Sequence, residues 1–84
     1  MPHTPHELAD EFPQDADVLH QLKTGSAHFA TLSDRYHTVN NAIHRAEIEV
    51  EPVSDDRLEE LKKERLAYLD ELRELIAAHR AEQG

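Results

Sequence analysis

The sequence of 84 residues contains no cysteine and no tryptophan, and it has only 2 glycines. Without cysteine, the chain has no disulfide and no thiolate ligand, so structural zinc fingers are excluded. Two glycines are too few for a glycine-rich phosphate-binding loop. Aromatic residues make up only 5% and charged residues 32%, a balance typical of long surface helices rather than of sheets. The composition therefore predicts an all-α protein.

Long apolar runs and positive charge are also lacking. A membrane-spanning helix needs about 18 consecutive apolar residues, and the sequence has no such run. The first residues lack the basic and apolar regions of a secretion signal. With 18 acidic against 9 basic residues the net charge is -9, which disfavours binding to phosphate backbones and anionic membranes. We expect a cytoplasmic protein with neither a nucleic-acid partner nor a membrane partner.

Apolar residues recur at alternating spacings of three and four in the middle of the chain. Pro52 interrupts this pattern, and Ser54 can cap a second helix whose first turn carries two aspartates. The first stripe consists of Phe29, Leu32, Tyr36, Val39, Ile43, Ala46 and Val50. The second stripe consists of Leu58, Leu61, Arg65, Leu69, Leu72, Ile76 and His79. Such spacing is typical of coiled-coil seams.

The two stripes match each other when the chain is folded back at Pro52. Tyr36 then faces Leu72 and Val39 faces Leu69, and nearly every apolar position meets an apolar one. We therefore predict an antiparallel, coiled-coil-like helical hairpin over residues 26–81. Its helices are predicted at about 26–50 and 55–80.

The N-terminal segment, residues 1–25, carries signals for short helices. The motif Thr-Pro-His-Glu at positions 4–7 places Thr at the N-cap, Pro at the first and Glu at the third helical position. We predict a short helix from this motif to about Phe12. Asp15 can cap a second short helix that ends near Gly25, after which Ser26 begins the hairpin.

The second helix of the hairpin has apolar residues outside its narrow seam. Two helices bury only one stripe each, so a hairpin of this size leaves such residues exposed. Leu66, Tyr68 and Leu75 are candidates for binding a partner, together with Arg65, the one charge on the seam. Arg65 can pair locally with Glu47, fix the register of the helices, or reach a carboxylate on a partner. We expect self-association or docking on another helix, unless the N-terminal segment covers this stripe.

Seven histidines suggest a metal-binding or pH-dependent function. His37 and His44 lie seven residues apart, about 10.5 Å along a helix, which is too far to share one ion. Full protonation would bring the net charge from -9 to about -2, because histidine gains its charge between pH 5 and 8. We predict no metal site, no cofactor and no catalytic residue. The main hypothesis is a non-enzymatic protein-protein interaction module, and the alternative is a metal- or pH-responsive regulator using the histidine-rich helix face.

Several of these motifs together resemble the YdcH-like family of small bacterial proteins, a domain of unknown function. The resemblance covers about residues 11–78, and Leu69 departs from it, since the family tends to have lysine there. The matching motifs are Glu11-Phe12-Pro13, Leu19 to Lys23, His28-Phe29, Leu32, Tyr36-His37, Ile43-His44-Arg45, Glu47, Glu51-Pro52, Ser54-Asp55, Leu61-Lys62-Lys63, Arg65-Leu66 and Asp70-Glu71. The resemblance implies a bacterial cytosolic helical hairpin, and it supplies no catalytic residues and no partner.

Overall fold

The computed structural model describes residues 6–48 and 52–83, and within these residues it consists of helices without strands. The helices are α1 (Leu8–Glu11), α2 (Ala16–Gly25), α3 (Ala27–Glu47) and α4 (Asp55–Gln83). The two long helices, α3 and α4, pack against each other, and α2 packs against both. The predicted all-α hairpin with a short helical N-terminal segment is confirmed.

Serine side chains begin both long helices. Ser26 Oγ accepts a hydrogen bond of 3.1 Å from the backbone N–H of Phe29, and Ser54 Oγ accepts one of 3.1 Å from that of Arg57. Both contacts satisfy backbone donors that have no partner within the helix. The structure ends α3 at Glu47 and extends α4 to Gln83, so the first helix is shorter and the second longer than predicted.

The first short helix begins later than predicted. Glu7 has extended backbone angles, φ -62 and ψ 156, so it is the N-cap residue rather than the third residue of the helix. Its backbone N–H donates to the carboxylate of Asp10 at 3.3 Å, which stabilises the start of α1. Thr4 and Pro5, on which the prediction depended, lie outside the described residues.

The apolar core consists of two clusters along the hairpin. The large cluster joins all parts of the chain and contains Leu8, Phe12, Leu19, Phe29, Leu32, Tyr36, Leu72 and Ile76. The small cluster, nearer the turn, contains Val39, Ile43 and Leu61. The α3 stripe from Phe29 to Ile43 is buried as predicted, whereas Ala46 is half-buried and Val50 lies outside the described residues.

The α4 seam is buried at fewer positions than the sequence predicted. Leu61, Leu72 and Ile76 are buried, and the other predicted seam positions are half-buried. The Nε2 atom of His79, the last position of the predicted seam, lies 2.8 Å from Oε1 of Gln21, a residue of α2. The polar imidazole of His79 thus contacts a polar side chain at the edge of the core and does not pack inside it.

The N-terminal segment covers one side of the hairpin. Its residues Leu8, Phe12 and Leu19 belong to the large cluster, and the guanidinium carbon of Arg73 lies 6.0 Å from the ring centroid of Phe12. The carboxylate of Asp15 pairs with Arg80 at 2.9 Å instead of capping α2, although Asp15 occupies the N-cap position. The segment thus covers the side of α4 that carries Arg73 and Arg80, whereas the alternative drawn from the sequence was that it covers the stripe of Leu66, Tyr68 and Leu75.

Candidate interaction site

The side of the hairpin opposite α1 and α2 is uncovered in the described part of the chain, and we call it the open face. A groove of about 300 Å³ lies there between the two long helices, lined by Asp34, Arg35, Thr38, Val39 and Tyr68. Spacings of three and four residues place Arg35, Thr38 and Val39 on one side of α3. Tyr68 provides the wall of the groove that belongs to α4.

Helix geometry separates Tyr68 from Arg73, the residue of α4 that contacts Phe12. On α4, Arg73 and Arg80 contact Phe12 and Asp15 on the covered side. Tyr68 and Leu75 precede these two arginines by five residues each, which is about 140° of rotation around the helix. Both side chains are half-buried and pack against the large cluster. Tyr68, which lines the groove, therefore borders the open face, whereas Leu75 shares its helix face with His79, which contacts Gln21 of α2.

Charges of opposite sign lie on the two rims of the open face. Arg35 on α3 is exposed, and so are Glu64 and Glu71 on α4. Glu64 and Glu71 are four residues before and three residues after Tyr68, and residues at these spacings share a helix face. None of these three charges forms an ion pair with another described residue. The α4 rim is thus anionic, whereas the α3 rim carries the cation of Arg35 beside the carboxylate of Asp34, which also lines the groove.

The candidate partner-binding residues do not form one surface. Leu66 is 58% exposed, and it lies two residues before Tyr68, a spacing at which helix side chains do not face each other. Of the other two apolar candidates, Tyr68 lines the open-face groove and Leu75 does not. An interface that uses the Tyr68 groove therefore does not include Leu66.

Arg65, the remaining candidate, has a partner within its own chain. Its Nη1 donates a 3.1 Å hydrogen bond to Oδ1 of Asn40, and Asn40 is only 1% exposed. This contact joins α3 to α4, which agrees with the predicted role in fixing register rather than with local pairing to Glu47. The sequence did not indicate Asn40, because it lies beside the apolar stripe; its weak helix propensity was the only local signal.

Tyr36 links the N-terminal segment to the hairpin. Its ring is fully buried, and its hydroxyl donates a 2.5 Å hydrogen bond to the backbone carbonyl of His6, thirty residues away. Burial raises the pKa of Tyr36 to about 12, and the nearby carboxylates of Glu11, Glu7 and Asp10 act in the same direction. The phenol therefore stays neutral and donating over the whole physiological range.

Two histidines pair with carboxylates of the N-terminal segment. His37 Nδ1 lies 2.8 Å from Oε2 of Glu7, and His6 Nδ1 lies 2.7 Å from Oε1 of Glu11. Within residues 6–48 and 52–83, no three His, Asp or Glu side chains come together in a way that could hold a metal ion. The arrangement supports hydrogen bonding and ion pairing rather than metal coordination.

Two further grooves lie outside the open face. One of about 370 Å³ at the turn is lined by Ala46, Pro52, Val53, Asp55 and Leu58. The other, of about 220 Å³ between α2 and α3, is lined by Lys23, Ala30, Ser33, Asp34 and His37. Neither lies beside the opposed charges that mark the open face.

Comparison with known proteins identifies the family. In the described part of the chain, no helix is long and apolar enough to cross a membrane. Neither the curated proteins nor the solved structures include a match to the chain. A family model described as "Protein of unknown function (DUF465)" matches residues 29–76, which is more than half of the sequence and covers most of the hairpin. The chain belongs to the DUF465 family of proteins of unknown function.

Proposed function

We propose that this protein is a non-enzymatic helical hairpin that self-associates and acts as a protein-protein interaction module. The open face carries the proposal. One side of the hairpin is covered by the N-terminal segment, whereas the other has a groove walled by the half-buried Tyr68. Half-buried aromatic side chains beside polar rims are the usual anchors of protein interfaces.

The small size of the chain gives a physical reason for association. A domain this small buries a modest fraction of its surface, so docking a partner adds apolar burial that the chain alone cannot provide. Each Å² of apolar surface removed from water contributes about 25 cal/mol. Tyr68 and Leu75 have such surface left to bury. The partner is another copy of the chain or another protein; the net charge of -9 disfavours nucleic acid and anionic membranes.

A pair of matched substitutions tests the proposal. Tyr68→Gln removes the anchor of the open face, and Leu66→Gln removes a more exposed apolar side chain from the other flank of α4. Light scattering across a concentration series should show a larger species for the wild type and for Leu66→Gln, and a smaller one for Tyr68→Gln. Equal masses for both variants would argue against the open face as the interaction site.

The proposal also includes a more specific family assignment for the chain. We propose that the chain is a bacterial, cytoplasmic protein of the YdcH-like type, on the basis of the motifs around Tyr36-His37, Glu51-Pro52 and Asp70-Glu71.

The proposal of a non-enzymatic role is supported by the shape of the hairpin. The three grooves described above lie at its surface, and residues of only two helices or of the turn between them line each groove.

A pH-responsive regulator is a second candidate function, favoured by the two histidine contacts of the N-terminal segment. Protonation would turn the hydrogen bonds His37–Glu7 and His6–Glu11 into ion pairs, since histidine is the side chain that gains charge between pH 8 and 5. The segment should then be held more tightly at acidic pH. Hydrogen exchange of α1 amides should slow from pH 8 to 5.5, after correction for the intrinsic rate, and His37→Gln should reduce this change. A corrected rate that is independent of pH would remove this candidate.

A further inference from the structure

We infer that the open face binds a second copy of the chain, face to face about a two-fold axis parallel to the long helices, with Arg35 of each copy paired to Glu71 of the other. This inference rests on the proposed self-association and adds its surface, its symmetry and its charge pairing. The observations that carry it are the opposed charges on the two rims of one groove and the register of the hairpin.

The register places Arg35 and Glu71 at the same height along the hairpin. Asn40 of α3 and Arg65 of α4 are hydrogen-bonded across the two antiparallel helices, and nearby Thr38 and Tyr68 line one groove, so Thr38 and Tyr68 lie at about the same height. Three residues backward on α3 and three forward on α4 lead from this pair to Arg35 and Glu71. Equal steps in opposite directions keep the two positions level, because both helices rise by the same amount per residue.

The opposed rims select one of the two ways in which such faces can pack symmetrically. A two-fold axis parallel to the helices lays α3 of one copy on α4 of the other at the same height. Arg35 of each copy then meets Glu71 of the other copy, and the pair forms twice. An axis perpendicular to the helices would instead lay the anionic α4 rims of the two copies on each other and would separate Arg35 from Glu71 of the other copy. Electrostatic complementarity therefore favours the parallel axis.

The size of the face suits a second copy of the same hairpin. With α3 about 30 Å long and two helices about 20 Å wide, each copy offers roughly 600 Å² of projected area. That is close to the lower limit of specific protein-protein interfaces. The half-buried Tyr68 would lie inside the contact, flanked by the charged pairs. We therefore expect a dimer whose population depends on protein concentration.

Charge reversal on separate chains distinguishes pairing between copies from pairing within one chain. In a homodimer of the Arg35→Glu variant, two carboxylates would face each other at each of the two pairing positions. In a homodimer of the Glu71→Arg variant, two guanidinium groups would face each other there. Each variant should dissociate more readily than the wild type, by about tenfold or more in dissociation constant. An equimolar mixture of the two variants should form heterodimers in which both ion pairs are restored. In one pair, the new glutamate at position 35 of one chain meets the new arginine at position 71 of the other. These two groups can meet only across the interface.

The readout is sedimentation equilibrium of the two full-length variants, singly and mixed, with circular dichroism to verify helicity. Lys63→Glu makes the same charge change on exposed α4 surface and should leave the dimer intact. If the wild type dimerises but the mixture of variants does not regain the dimer, this inference is overturned. It is also overturned if each single variant associates as strongly as the wild type. Either result would leave the proposed self-association intact. A monomeric wild type at all concentrations would overturn the proposed function itself.

Discussion

Arg65 reaches from α4 to Asn40 on α3, where its Nη1 donates a 3.1 Å hydrogen bond to an amide oxygen of a residue that is 1% exposed. A charged group therefore lies against the seam with a specific partner. Because the contact forms only when the two helices are aligned in one register, it selects that register against slipped alternatives.

The Asn40–Arg65 contact predicts strong coupling between two substitutions. Asn40→Leu or Arg65→Met alone should lower the free energy of unfolding by about 1–3 kcal/mol, since each leaves a polar group at the seam with one partner fewer. The double variant Asn40→Leu/Arg65→Met should recover part of that loss, because both polar groups are then replaced by apolar ones. Urea denaturation of the four proteins measures the coupling energy. A value near zero would contradict a direct contact.

Removing apolar contacts of the N-terminal segment should destabilise the whole molecule. Leu8 is 1% exposed and belongs to the large cluster, so Leu8→Ala should lower the free energy of unfolding by about 2–5 kcal/mol. Leu66→Ala is the matched control and should change it by less than about 0.5 kcal/mol, because Leu66 is 58% exposed. Equal effects would mean that the segment does not dock on the hairpin.

The buried hydroxyl of Tyr36 predicts a loss of stability at alkaline pH. The pKa of Tyr36 is raised from 10.0 to about 12 in the folded chain, so the folded state favours the neutral phenol. The resulting stabilisation is fully present below pH 10 and is lost as pH rises from 10 to 12. In this range the titration of Tyr36 should lower the free energy of unfolding by about 1.4 kcal/mol per pH unit.

Tyr36→Phe separates this effect from the titration of other groups. The variant should be less stable at neutral pH by about 1 kcal/mol, because the His6 carbonyl loses its donor. Between pH 10 and 12 its stability should fall less steeply than that of the wild type. Parallel curves of denaturation midpoint against pH would show that Tyr36 does not titrate in this way.

The hairpin was predictable because local spacing and cap chemistry define it. Apolar residues spaced alternately by three and four from Phe29 to Ile43 form the buried stripe of α3. The hydroxyls of Ser26 and Ser54 cap the first turns of the two long helices. The burial of Asn40 was not predictable, since it accompanies a contact with Arg65 that forms only in the folded hairpin. Sequence spacing likewise gave no sign of the contact between Tyr36 and His6.

The candidate interaction site was predictable only in part. The heptad spacing of Tyr68 and Leu75 predicts that they share a helix flank, and the structure places Tyr68 in the groove. Leu66 was added to them on hydrophobicity alone, although its spacing from Tyr68 places it elsewhere on α4. The charges that accompany the groove, Arg35 and Glu71, lie on different helices, so only the folded register relates them.

Self-association through the open face is tested most directly by the mass of the wild-type chain in solution. Sedimentation equilibrium between about 1 and 300 µM spans the range of micromolar dissociation constants. The average mass should rise with concentration from the 9.6 kDa of one chain toward twice that value. A mass that stays at 9.6 kDa over the whole range would contradict the account.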